Sequence, residues 1–304
     1  MRNMKTRIVP SLSLAVVLAL CSTIGAQGRR TGLSAGMNTE QNGPVTECGD
    51  IHVTYDRKPA ITEESQMSLS SSQVSTLRVQ LSKGGVYVNG WDRNEYSVKT
   101  CKAVQDDGYA TSTLRDIITS TNGNGQLTVN GPASGGWTAS LIIMVPRLSA
   151  MDIETTNGPL QARELAGNIK LSASNGPIGM QNVGGAVTVT SNNGPISLAG
   201  GSGDQRVTAN NGPIDIQLSG TRWDGPGLEV STRNGPLSIS VPDAYGSGIA
   251  IQTSDRSPLN CTVAACAGAT STPSSPGVIR IGNGDPIIRV STSRGPLSIQ
   301  SAKR

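Results

Sequence analysis

His52 is the only histidine among 304 residues, and this scarcity bounds the chemistry available. A serine or cysteine nucleophile needs an imidazole base within hydrogen-bond reach. A protein zinc site draws its ligands from several His, Cys or carboxylate side chains. His52 lies in the run Asp50-Ile51-His52-Val53 and reads as an ordinary strand residue. The chain has no phosphate-binding P-loop. Carboxylates are the remaining candidates, because glycoside cleavage uses a pair held about 5–10 Å apart. Asp215 is alone in its column among Ser, Gly and Gln, while Glu154, Glu164, Asp204 and Glu229 fall at other places in the repeat set out below. Asp204 follows a Gly-rich stretch and reads as a turn former. The Gly-Gly-x-Gly-x-Asp calcium repeat is absent. The sequence therefore predicts no catalytic residue, no metal site and no cofactor.

The element that positions these side chains is a repeat. Asn-Gly-Pro stands at Asn157-Gly158-Pro159, Asn175-Gly176-Pro177, Asn193-Gly194-Pro195 and Asn211-Gly212-Pro213, with 18 residues between successive copies. It returns after 23 residues at Asn234-Gly235-Pro236, and as Arg294-Gly295-Pro296; isolated copies start at Asn42 and Asn130. Three and five residues after each Asn the side chains are mostly aliphatic: Leu160/Ala162, Ile178/Met180, Ile196/Leu198, Ile214/Ile216, Leu237/Ile239 and Leu297/Ile299. Four before it they are Ile153, Leu171, Val189, Val207, Val230 and Val290; six before, Met151, Ile169, Val187, Gln205, Leu228 and Ile288. Polar or small residues alternate with them, the mark of a strand with one face inward. Helical spacing and an apolar residue at every sixth position are both missing. The pattern predicts an all-β chain, a parallel β-solenoid (β-helix) of 18-residue coils with two or three faces, right-handed by the general rule for parallel crossovers. Asn-Gly-Pro would form the corner. Asn tolerates the left-handed region, Gly accepts angles closed to other residues, and Pro opens the next strand. Stacked corners would align their Asn side chains in a ladder.

Around this core the chain divides into 1–26, a signal peptide; 27–41, a flexible lead; 42–148, an irregular β region with first coils; 149–300, the repeats, with a loop insertion at 267–277; and a tail, 301–304. The signal reading rests on Arg2, Lys5 and Arg7 before the apolar run Ser11 to Cys21 and small residues at Gly25-Ala26. Leu20 argues against lipidation at Cys21. Cleavage would leave 22 Lys and Arg against 21 Asp and Glu, a balance that offers nucleic acid no basic surface. Aromatics make up 3%, Phe is absent and Gly numbers 37, so the core must consist of thin aliphatic layers. Ser112 to Ser120 fits either a strand or a helix. Beyond Asn234 the period slips: Asp255-Arg256-Ser257-Pro258-Leu259 and Gly284-Asp285-Pro286 read as worn corners, and the last coils as a cap. Besides Cys21, four cysteines remain, an even number that suits disulfides in an exported chain. Three pairings are open; locality favours Cys48–Cys101 and Cys261–Cys266, with free buried thiols as the alternative.

Gly84-Gly85-Val86-Tyr87-Val88-Asn89-Gly90-Trp91-Asp92, Ile142-Ile143-Met144-Val145-Pro146 and Ile153-Glu154-Thr155-Thr156-Asn157-Gly158, with the strand–Asn-Gly–strand series that follows, resemble a bacterial putative-adhesin family, a domain of unknown function. The resemblance spans roughly residues 75 to 300 and implies an exported, repetitive β-solenoid without catalytic residues. Many relatives follow Asn-Gly with a β-former or Asp where this chain has Pro. The expected function is that of an exported, non-enzymatic structural or adhesive surface module, periplasmic, cell-surface or secreted. It would meet a glycan, a cell-wall polymer or another protein through a flat polar β face. The alternative is a polysaccharide lyase or hydrolase on the same scaffold. An ice-binding role, suggested by Thr188 and Thr208, would need a more uniform Thr column.

Overall fold

The computed structural model describes residues 32–34 and 44–302, apart from 123, 134, 254–257, 264–265, 267–269, 272–277 and 283. The signal-like segment, the first Asn-Gly-Pro copy at Asn42 and most of the worn corner at 255–259 lie outside the described residues. Within the segment read as a lead, Gly32–Ser34 pairs antiparallel with residues of His52–Tyr55.

The chain is all-β with long parallel sheets. Each Asn-Gly-Pro copy from Asn157 to Asn234 joins a strand of one sheet to a strand of another. The strands that run into the corners include Met151–Asn157, Asn168–Asn175, Ala186–Asn193, Asp204–Asn211 and Gly227–Asn234; we call their sheet the leading sheet. The strands that leave the corners include Leu160–Leu165, Ile178–Val183, Ile196–Ala199, Ile214–Gln217 and Leu237–Val241, and form the trailing sheet. Pairing in both is parallel and in register with the repeat, so that Asn157, Asn175, Asn193, Asn211 and Asn234 are successive partners. One side chain in two points between the sheets. Ile153, Leu171, Val189, Val207 and Val230 of the leading sheet belong to the same buried cluster as Leu160, Ile178, Ile196, Ile214 and Leu237 of the trailing sheet. Full burial of each such aliphatic side chain stabilises the fold by about 1.5–3 kcal/mol before entropy is counted.

A further inward column lies two residues before each corner: Thr155, Ala173, Ser191, Ala209, Thr232 and Thr292, all buried. All six are small, and Ser191 and Thr155 carry part of the turn's hydrogen bonding. Ser191 Oγ donates to the Gly194 carbonyl at 3.1 Å and Thr155 Oγ1 to that of Gly158 at 3.5 Å. Polar character hides this column from a hydrophobic pattern. A second line of turns follows the trailing strands, with Glu164, Asn182 and Gly200 in the left-handed region at φ 54°, 51° and 69°.

The interval of 23 residues is absorbed after the trailing strand Ile214–Gln217. Trp223 in this insertion is buried, and its Nε1 donates to the Gly203 carbonyl at 2.9 Å. Gln205 is the polar exception in its apolar column. It is buried, and its Nε2 donates to the carbonyls of Val183 at 2.6 Å and Ser202 at 2.9 Å.

At both ends, order in space departs from order in the chain. Leu77–Leu81 and Val86–Trp91 lie between the 151–165 repeat and the later strands Gln126–Asn130 and Trp137–Pro146. At the other end, Pro286–Arg294 and Leu297–Ser301 lie between the 227–241 repeat and the earlier strands Gly248–Thr253 and Leu259–Cys261. A sequence period reveals which segments share a register, not which are neighbours. Antiparallel strands border three of the four sheet ends: Glu95–Val104 and Ile61–Ser70, Ile118–Thr121, and Val278–Ile281 with Thr270–Ser271. Most of the loop read at 267–277 lies outside the described residues. The ambiguous stretch 112–120 divides into the helix Ala110–Asp116, which packs against the Glu95–Val104 strand, and the strand Ile118–Thr121. Among the described residues no helix is long and apolar enough to cross a membrane.

Ile196 is 1% exposed between the sheets. Ile196→Asp would bury a carboxylate there and is expected to lower stability by about 3 kcal/mol or more in urea unfolding followed by circular dichroism. A midpoint equal to the wild type's would show that this column does not face the core.

Candidate functional site

The five corner asparagines form a hydrogen-bonded ladder. Nδ2 of Asn175, Asn193, Asn211 and Asn234 each donates to Oδ1 of the preceding corner, at 3.3, 3.1, 3.2 and 3.0 Å. Asn157 ends the series by donating to the Ser82 carbonyl at 3.3 Å. Between corners the backbone packs so closely that a Cβ on Gly176 would collide with the Gly158 carbonyl, and one on Gly212 with that of Gly194. Gly176 and Gly212 also hold φ of 156° and 152°, which L side chains rarely adopt. The corner amides are thus engaged with one another. Cys48 and Cys101 form a disulfide, with Cα atoms 5.3 Å apart, that ties the turn Cys48–Asp50 to the strand Glu95–Val104. Cys261 and Cys266 form a second one, closing a short loop.

The acidic residues are dispersed. Asp215 is on the trailing sheet, whereas Glu229 is on the leading sheet and pairs with Arg206 at 2.8 Å. Glu154 accepts from Gln80 Nε2 at 3.4 Å. Glu164 holds Arg147 at 3.2 Å, and Arg147 also binds Asp92 at 2.8 Å; these carboxylates raise the guanidinium pKa above its ordinary value. Asp204 is exposed at the first position of its leading strand. His52 is exposed at the start of its strand and lines a cavity of about 550 Å³ with Glu63, Glu64 and the Cys48–Cys101 bridge. Glu63 is engaged there by Lys102 at 2.7 Å. Among the described residues no three His, Cys, Asp or Glu side chains are grouped to hold a metal ion.

The outer faces of the two sheets differ. The leading face carries charge in pairs, with Asp152–Lys170 at 3.2 Å and Arg206–Glu229 at 2.8 Å. The trailing face is mostly neutral. Across its strands, one paired column includes Arg163 and continues as Gln181, Ala199, Gln217, Ser240 and Gln300. Long amides alternate with short side chains, producing a trough of about 460 Å³ that Asp215 also lines. A hydrophobic scan passes over this column, yet its signal is present in the sequence as Gln recurring in alternate copies of one repeat position. A second cleft, about 590 Å³, lies beside the corners of Asn157 and Asn175. Its aromatic groups are engaged within the protein. Lys83 Nζ sits 4.7 Å from the Trp137 ring centroid, and the Tyr55 hydroxyl donates to the Ala103 carbonyl at 3.2 Å.

No family model matches the chain, and no curated protein matches it. Among solved structures it is similar to a "putative cell adhesion protein" from Clostridium sporogenes ATCC 15579, at 12% identity over 80% of this chain and 100% of that one, with a TM-score of 0.34. A "putative adhesin" from Bacteroides fragilis NCTC 9343 shares 10% identity over 79% and 97%, with a TM-score of 0.36. A "putative lipid binding protein" from Parabacteroides distasonis ATCC 8503 shares 12% over 80% and 97%, with a TM-score of 0.31. Likeness at this level does not bear on what this chain binds.

Asn193→Asp keeps the shape of the ladder and can still accept from Asn211, but its carboxylate cannot donate to Asn175. A loss of about 1–2 kcal/mol is expected in urea unfolding. Burial pushes the Tyr55 hydroxyl up to about 12 and raises that of Tyr87 as well. The folded state therefore keeps these protons after the unfolded chain has released them. Stability should hold through neutral pH and decline above about pH 10, the ordinary tyrosine range. Tyr55→Phe with Tyr87→Phe should flatten that decline, as read from thermal melts between pH 8 and pH 11 (roughly spanning the tyrosine titration).

Proposed function

We propose that this chain is an exported, non-enzymatic β-solenoid that serves as a structural or adhesive surface module. The observation that carries this reading is the fixed outward grid. Inward columns and corner amides are consumed by the stack, which leaves regular rows of polar side chains at strand spacing as the surface a partner meets. The wide separation of Asp215 from Glu229, on different sheets, weighs against a carboxylate pair and so against the lyase or hydrolase alternative. Two disulfides favour an oxidising compartment and hence export. The proposed organisation is a signal at 1–26 and a lead, an N-terminal β region with first coils to about residue 148, and repeats to about residue 300. In it, the Asn-Gly-Pro residues are the structural corners, and the partner is a glycan, cell-wall polymer or protein.

Beads coated with the mature chain should adhere to isolated bacterial envelope polysaccharide or to glycan-coated surfaces, while beads carrying an unrelated protein should not. In parallel, a hydrolase and lyase screen on the same polymers should show no turnover. Turnover abolished by Asp215→Asn or Glu229→Gln would replace this reading with the enzymatic one. Beads that adhere to nothing would remove the adhesive part.

A further inference from the structure

The corner asparagines and the trailing-face glutamines carry the same functional group with opposite outcomes. Corner amides occupy every repeat, one strand spacing apart, and bond to one another at 3.0–3.3 Å. Gln181, Gln217 and Gln300 occupy alternate strands, with Ala199 and Ser240 between them. Two strand spacings, about 10 Å, separate one amide from the next, too far for a ladder. These amides are correspondingly underbonded. Gln181 Oε1 is buried and has no hydrogen-bond partner among the described residues, so a turn of its side chain that exposes it forfeits no bond. Gln217 Nε2 reaches Asp215 Oδ2 only at 3.4 Å, and Gln300 Nε2 reaches Ser240 Oγ at 3.4 Å. Bonds of that length are given up at little cost.

We propose that this trough is a binding subsite for an extended, neutral oligosaccharide. The proposal rests on the adhesive reading above and names its ligand class. With the Gln181 side chain turned outward, the three amides offer hydroxyl groups both donors and acceptors, and Asp215 offers two further acceptor oxygens. No Lys or Arg lines the trough, Arg163 standing one strand beyond Gln181, and Asp215 within it would repel phosphate, sulfate or carboxylate polymers. Leu218, its bulkiest aliphatic lining residue, is buried, which leaves nothing for a lipid tail to displace water from. A peptide strand would pair with an open sheet edge, whereas the trough crosses five strands, from Ile178–Val183 to Leu297–Ser301, near their C-terminal ends. Its volume of about 460 Å³ lies within the range of small-ligand sites. Each gap, at Ala199 and at Ser240, admits one sugar ring with a hydrogen bond on either side. An extended glycan that presents the same edge once per disaccharide would meet successive gaps in phase.

The test is a titration of the ¹⁵N-labelled mature chain with neutral cello-, chito- and manno-oligosaccharides, following side-chain amide signals. At least one series is expected to shift Gln181, Gln217 and Gln300 saturably. Gln217→Ala and Asp215→Asn should each weaken binding about tenfold, the equivalent of one hydrogen bond. Ala199→Trp should block the gap without removing a polar group, and Lys170→Ala on the leading face should bind as wild type. Circular dichroism melts of all variants check that they fold. The subsite is overturned if no series moves these signals, or if binding survives in folded Ala199→Trp and in the Gln217→Ala/Asp215→Asn double variant. Beads that still adhere when coated with that double variant would overturn the subsite alone, whereas beads of wild-type chain that fail to adhere would overturn the adhesive reading.

Discussion

In-register parallel pairing between successive repeats is the constraint on which the remainder depends. Each residue of a central repeat has its own counterpart one strand spacing away on either side. Whatever side chain occupies a position must therefore tolerate a near copy of itself as a neighbour. Aliphatic residues meet this condition inside, where like packs on like. Asparagine meets it at the corner, since an amide is both donor and acceptor and can bond to another amide indefinitely. Glycine meets it where backbone approaches backbone too closely for a Cβ. Charged residues fail it, and on the leading face the repeat places Lys170 next to Asp152 and Arg206 next to Glu229 rather than beside their own kind.

This condition also explains what could be read from the sequence. The all-β architecture, its parallel pairing and the inward columns around Val189 and Ile196 follow from period and alternation, because both are properties of a single repeat. The column of Thr155, Ser191 and Thr232 escapes a hydrophobic scan because these members are polar, although its inward position continues the same alternation. Gln205 escapes as well: its burial depends on the carbonyls of Val183 and Ser202, which only the fold brings to it. The helix Ala110–Asp116 could not be told from a strand because the segment is short and its apolar residues are few. The order of the end segments is invisible because two repeats in the same register carry the same signature wherever they dock.

The candidate site shows the same logic in reverse. A row of identical amides would have closed on itself, as the corners do. Interrupting the row with Ala199 and Ser240 leaves the glutamine amides without a ladder partner. Regularity makes the stack, and a regular lapse in it makes a surface with unmet hydrogen-bonding capacity. The Asn-Gly-Pro series, the most conspicuous feature of the sequence, is inert by comparison.

The exchanged order of the end segments bears on how the molecule can be made. At the N-terminal end the inner segment, 77–91, precedes both of its neighbours in the chain, so each can be added to it from outside. At the C-terminal end the relation is reversed. Strand Leu237–Val241 must receive Leu297–Ser301, while Leu259–Cys261, synthesised earlier, belongs one place further out. A chain growing from its N-terminus that docked each segment on arrival would fill this place with the wrong strand. Assembly in the observed order requires the berth beside Leu237 to be vacant when Leu297–Ser301 arrives, so that Leu259–Cys261 must wait for a strand made after it.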